Sequence, residues 1–235
     1  SSHNQCMQEV YKSNNLEIYR NIQVGKELIK ICEEGVNKNL EIFKKQPKKI
    51  RIFVCDTEED FKKYSKYYYF PHGAGTCLRN GDVIVRSNDF LTRKEKDYSN
   101  LMVHEINHSF WAQFYGMSKP IWLMEALAMT VEGRWQREGV FFDLKKTKIL
   151  IKEKNWNFAC IKYRYLERDF NSREKIALFY SIWGHFAEFI SNKNPSQLAK
   201  FMSDYKKNPT KENYESLFVK HFGDTLKNKF NEFIK

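Results

Sequence analysis

The 235-residue chain has no run approaching 18 uninterrupted apolar residues, about the length a membrane-spanning helix needs, and so offers no candidate for one. Internal repeats and low-complexity tracts are lacking as well, so a repeat architecture is not expected. Its five cysteines include no CxxC, which argues against a cysteine zinc site. Five is odd, so at least one thiol is unpaired within a monomer, and the redox compartment stays open. The start, "SSHNQCMQEV", has neither an initiator Met nor an apolar stretch of the signal-peptide kind. It reads as a trimmed or mature chain, and leaves open whether a leader was removed. A single-sign charge stripe is also missing. The net charge is +11, yet residues 41–66 and 195–235 each carry a surplus of only three positive charges, with both signs interspersed. A solvated lysine-rich surface is expected, with no specific nucleic-acid partner.

What is present is ample core material: 42% apolar and 16% aromatic residues, enough for one sizeable domain or two small lobes sharing a core. Residues 8–45 space their apolar side chains as a helix does (Val10, Ile18, Ile22, Leu28, Ile29, Ile31, Val36, Leu40, Phe43), up to Pro47. "KIRIFVC" (49–55) reads as a buried strand, and "DTEEDFKKYSKYYYF" as a helix capped by Asp56 or Thr57. "GTCLRNGDVIVRS" (75–87) reads as a hairpin, with Asn80-Gly81 supplying both positive-φ positions of a type I′ turn. A capping box of Thr92 with Glu95 opens the next helix, Asp97 offers a second start, and the helix is expected to stop at Gly116. Pro120 starts a second helix that ends at Gly133, and helices with polar connections follow. The expected fold class is α+β: a small sheet, two central helices and a helical C-terminal lobe. The expected division is an N-terminal helical segment at 1–48, a core at 49–139 and a helical lobe at 140–235.

The chemistry concentrates in "VHEINHSFW" (103–111). Side chains four apart on a helix lie one turn apart on one face, so His104 and His108 can aim ring nitrogens at one zinc ion. Glu105 lies about 100° round the helix from His104, beside such a metal, where a base for an activated water must sit. The pentad alone decides little, since it arises by chance in roughly one chain in a hundred with this histidine content. Two further features favour a site. His104 and His108 share a face with Leu101 and Trp111, so their imidazoles are expected beside a buried stripe and need partners. A third ligand, Glu125, stands seventeen residues after His108 in the apolar "WLMEALA", and a reverse turn at "GMSK" (116–119) would return it to the histidines. Glu132, two turns beyond Glu125, reads either as support for a ligand histidine or as a surface carboxylate. His3, His72 and His221 have no partner pattern and read as surface or loop residues.

"HEINH" followed by "PIWLMEALA" resembles the gluzincin metallopeptidases, specifically the bacterial peptidase-MA-like group. Their usual third-ligand pattern is Trp-Leu-x-Glu-Gly-x-Ala, and Ala126 stands here in place of the glycine. The likeness covers about residues 49–235, specific at the zinc site and loose elsewhere. It implies a zincin-like α+β fold, with His104, His108 and Glu125 as zinc ligands and Glu105 as general base. It also implies that the hairpin strand carrying Gly75 and Thr76 borders the cleft and pairs with an extended peptide substrate. Tyr180 is the oxyanion donor by the same resemblance, with His185 in reserve. Against that stands a packed aromatic among Phe179, Trp183 and Phe186. No Gly-x-Met-Glu-Asn sequence is present to hold a free N-terminus, which favours an endopeptidase over an aminopeptidase. The resemblance also favours a secreted or cell-envelope setting.

Three functions compete at this stage. The first is a zinc peptidase. The second is a basic nucleic-acid-binding protein with a structural zinc, for which a fourth ligand is wanting. The third is an inactive peptidase-like binding module, against which an intact Glu105 argues.

Overall fold

The computed structural model describes residues 6–71, 73–116, 119–133 and 141–235. His3, His72 and the middle of the expected turn at 117–118 lie outside the described residues. The chain divides into two compact units, Ser1–Met117 and Ser118–Lys235. The class is α+β, with a five-stranded sheet in the first unit and helices in the second.

The first unit corrects the reading of its N-terminus. Residues 8–20 are not helix but two antiparallel strands, β1 (Gln8–Lys12) and β2 (Leu16–Arg20). In β2 the buried positions are Leu16, Ile18 and Arg20, a period of two that the short stretch supports as well as a helical one. A serine turn joins the strands: the Ser13 hydroxyl accepts from the amides of Asn15 and Leu16, both at 3.3 Å. Helix α1 begins only at Lys26 and runs to Phe43. The 1–48 segment is therefore not a separate helical piece, because β2 pairs in parallel with β3 (Ile50–Cys55), the strand expected at 49–55.

Helix α2 (Glu58–Ser65) follows, capped as expected by Thr57, whose hydroxyl accepts from the Asp60 amide at 3.1 Å. The hairpin is β4 (Gly75–Cys77) and β5 (Val83–Arg86), and the sheet order is β1-β2-β3-β5-β4. Its turn differs from the expected type I′. Of the Asn80-Gly81 pair only Gly81 takes positive φ (95°). The Gly81 amide donates to Leu78 O at 2.9 Å, and the Leu78 amide to Asp82 O at 2.8 Å. That is a three-residue loop closing on a glycine bulge, the next most common hairpin connection. Strands β2, β3 and β5 run parallel, with β5 buried along its whole length, while β4 is an edge strand.

The expected capping box does not form. Thr92 ends the short helix α3 (Asn88–Leu91) in left-handed conformation, and α4 (Glu95–Tyr115) opens at Lys94 without a side-chain cap. The competing cap was Ser87, whose hydroxyl accepts from the Phe90 amide. Helix α4 stops at Gly116 (φ 65°), as its sequence foretells. Helices α1 and α4 cover one face of the sheet, with Ile18, Val36, Ile52, Val85, Ile106 and Phe110 buried there. On the other face Phe53, Cys55 and Ile84 meet Phe61 of α2.

The α-helices among the described residues of the second unit are α5 (Ile121–Glu132), α6 (Leu144–Glu153), α7 (Arg173–Ser191), α8 (Pro195–Tyr205), α9 (Lys211–Phe222) and α10 (Leu226–Phe233). Pro120 is the residue before α5 rather than its first, and Gly133 (φ 77°) ends it. The first amides of α5 find acceptors in a neighbouring loop: Ile121 donates to Tyr163 O at 3.1 Å and Trp122 to Lys162 O at 3.0 Å. The buried Trp122 indole donates to Tyr214 Oη at 2.9 Å, fixing the helix against α9. Among the described residues no helix is long and apolar enough to cross a membrane.

Candidate metal centre

Helix α4 is held on two of its sides within the first unit. On one, Asn107 donates its amide to Asn39 Oδ1 at 2.8 Å, and Asn39 donates to Gly35 O at 2.9 Å and Val103 O at 3.2 Å. Both asparagines are fully buried, so these bonds form away from water and fix the register of α4 on α1. Gly35 allows the close approach, since a Cβ there would lie 2.7 Å from Ile106 Cδ1. On the other side stands the hairpin. A Cβ on Gly75 would meet Glu105 Cγ and Cδ at 2.9 Å, so the edge strand passes directly over the Glu105 side chain.

The histidines lie on the remaining side. Their ring centroids are 4.6 Å apart at 88°, as expected of neighbours one helical turn apart. His104, His108 and Glu125 each offer one ligand atom, and these atoms all lie within 4.8 Å of one another. Two imidazole nitrogens and one carboxylate oxygen are a donor set that zinc takes in catalytic sites. All three residues are buried, at 4, 8 and 8% exposure, and Glu105 and Glu132 are each 5% exposed. A divalent cation held by the three would offset the charge of a carboxylate so removed from water. The donor set therefore fits zinc. Among the described residues the group has three members, so a tetrahedral ion held by them would have one coordination position left for a reactant.

The other expected residues divide. Glu132 is buried near the end of α5, not the surface carboxylate of the alternative reading. Gly75 and Thr76 are on the edge strand as expected. Tyr180, on α7, is half-buried and lies between Phe141 and Trp183, with ring centroids at 6.4 and 5.7 Å. His185, five residues further along α7, bonds through Nε2 to Phe142 O at 2.9 Å. Burial lowers its pKa from the ordinary histidine value, with that carbonyl opposing, so the neutral ring with the proton on Nε2 is favoured near pH 7.

Sequence reasoning missed the Asn39–Asn107 pair and the contacts that Ser109 makes. A signal was there for each: Asn107 and Ser109 are polar residues inside a stretch that the pattern itself marks as buried. Comparison with protein-family models and with curated proteins returns no match.

Proposed function

We propose that the chain is a zinc-dependent peptidase of the gluzincin type with a zincin-like fold, acting on peptide or protein substrates as an endopeptidase. The observation that carries the reading is the meeting of His104, His108 and Glu125, with Glu105 one residue along α4 from the first ligand. A structural zinc site is normally closed by four protein ligands, so a three-member group favours the catalytic reading.

When bound there, zinc supplies Lewis acidity, polarising a carbonyl and bringing the pKa of water towards about 7. Glu105 accepts the proton that water gives up, then delivers it to the leaving amine. The carboxylate is held for this by its burial and by the β4 backbone above it. The outer edge of β4 offers main-chain groups to an extended peptide. Incubating the purified protein with an unbiased peptide library tests the reading. Cleavage should appear, stop with a chelator and return with zinc, whereas intact peptides in the presence of zinc would remove the hydrolase assignment.

Tyr180 is proposed as the donor to the developing oxyanion. Tyr180→Phe keeps the ring that packs against Phe141 and Trp183 while removing the hydroxyl. The expected loss is about 10²–10³ in kcat with KM little changed. A folded variant with near wild-type kcat would leave Tyr180 a packing residue only, and pass the test to His185.

A further inference from the structure

We propose that Ser109 is a positioning residue whose hydroxyl fixes the β4–β5 hairpin on α4 and so sets where the edge strand stands relative to Glu105. The proposal rests on the peptidase reading.

Glu105, Ser109 and Gln113 follow one another at intervals of four along α4, and so form a single stripe. All three meet the hairpin. Glu105 lies under Gly75. The Ser109 hydroxyl donates to Gly81 O at 2.5 Å and accepts from the Gln113 side-chain amide at 3.1 Å. Gly81 also packs against Gln113, where a Cβ would lie 2.7 Å from Cγ. Ser109 is fully buried, so its hydroxyl has little access to water as a substitute partner.

The strand register shows what this fixes. Arg86 donates its amide to Ala74 O at 2.9 Å and Leu78 to Asp82 O at 2.8 Å, so residues 74 and 78 face β5. In an antiparallel pair the inward positions alternate, and Thr76, opposite Ile84, belongs to the inward set. The main-chain groups of Gly75 and Cys77 therefore point outward, along the open edge. One of them belongs to the residue lying over the Glu105 carboxylate. A hairpin free to slide along α4 would change the distance between that open edge and the base. Three main-chain pairs hold β4 to β5, and the loop end has Ser109 as its hydroxyl tie to α4.

The test is Ser109→Ala, read in two ways. In hydrogen exchange on metal-free protein, the amides of Leu78 and Gly81 should lose roughly tenfold protection while those of β3 keep theirs. In steady-state kinetics, kcat/KM should fall roughly tenfold, mostly through KM, for peptides long enough to lie along β4. Dipeptide-sized substrates should be affected much less. Unchanged hairpin exchange, or an equal loss on short and long peptides, would overturn the assignment. If Ser109→Ala does not fold, Gln113→Ala at the half-buried end of the stripe should give a smaller shift of the same pattern, and none if the proposal is wrong. Wild-type protein that cleaves no peptide would defeat the peptidase reading itself, a result separable from a variant that matches an active wild type in both measurements.

Discussion

Glu105→Gln should retain zinc at the wild-type level and lose about 10²–10⁴-fold in turnover. The two readouts must separate, and the structure says why they can. Glutamine has nearly the shape of glutamate, and shape matters here because the slot under Gly75 is narrow, with the would-be Cβ 2.9 Å from Glu105 Cγ and Cδ. The amide fits where the carboxylate fits, so the fold and the three proposed metal ligands should be undisturbed. It cannot accept a proton from water, which is the function assigned to the carboxylate. Elemental analysis and peptide cleavage on the same preparation check this. Zinc lost together with activity would make Glu105 a ligand or a structural residue, and the proposed role would be wrong.

His108→Ala should abolish both. Removing one of three protein ligands weakens zinc binding more than loss of a supporting group does, and that alone typically costs 10–100-fold in affinity. The effect also has a thermal signature. A metal that binds only the folded state stabilises it, by about 2.7 kcal/mol when supplied at a hundred times its dissociation constant. Wild-type protein should therefore melt several degrees higher with zinc than with chelator, and His108→Ala should show no such difference. His108 is buried beside His104, so the variant leaves a cavity and melts lower in either condition. The zinc-dependent increment is the diagnostic quantity. A variant that keeps this increment would remove His108 from the metal site.

The parts of the fold legible in the sequence were those set by local chemistry. Gly116 and Gly133 end α4 and α5 because each takes the left-handed conformation that glycine adopts cheaply, and Thr57 caps α2 through its own hydroxyl. Where two local signals compete, the sequence is ambiguous. Thr92 and Ser87 both precede helical stretches, and the tertiary structure places Ser87 at the cap and Thr92 at a helix end. In residues 8–20 the apolar side chains suit either period over so short a span, and pairing with β3 decides for strand. The hairpin was legible but its turn was not, since Asn80-Gly81 serves a two-residue loop or a glycine bulge equally well.

At the site, His104, His108 and Glu105 were legible because helical spacing alone relates them. Glu125 was legible as a carboxylate in an apolar run, and its meeting with the histidines is a tertiary fact that spacing does not give. The same holds for Gly75 over Glu105, Ser109 on Gly81 and Asn107 on Asn39. Each joins residues far apart in the chain, and nothing in their local sequence names the partner.

The most direct measurement of the central claim is the zinc content of wild-type protein, supplied with zinc, freed of excess and analysed beside His108→Ala. One zinc per wild-type chain and close to none in the variant is the expected result. A ratio near zero in the wild type, or the same ratio in both, would contradict it.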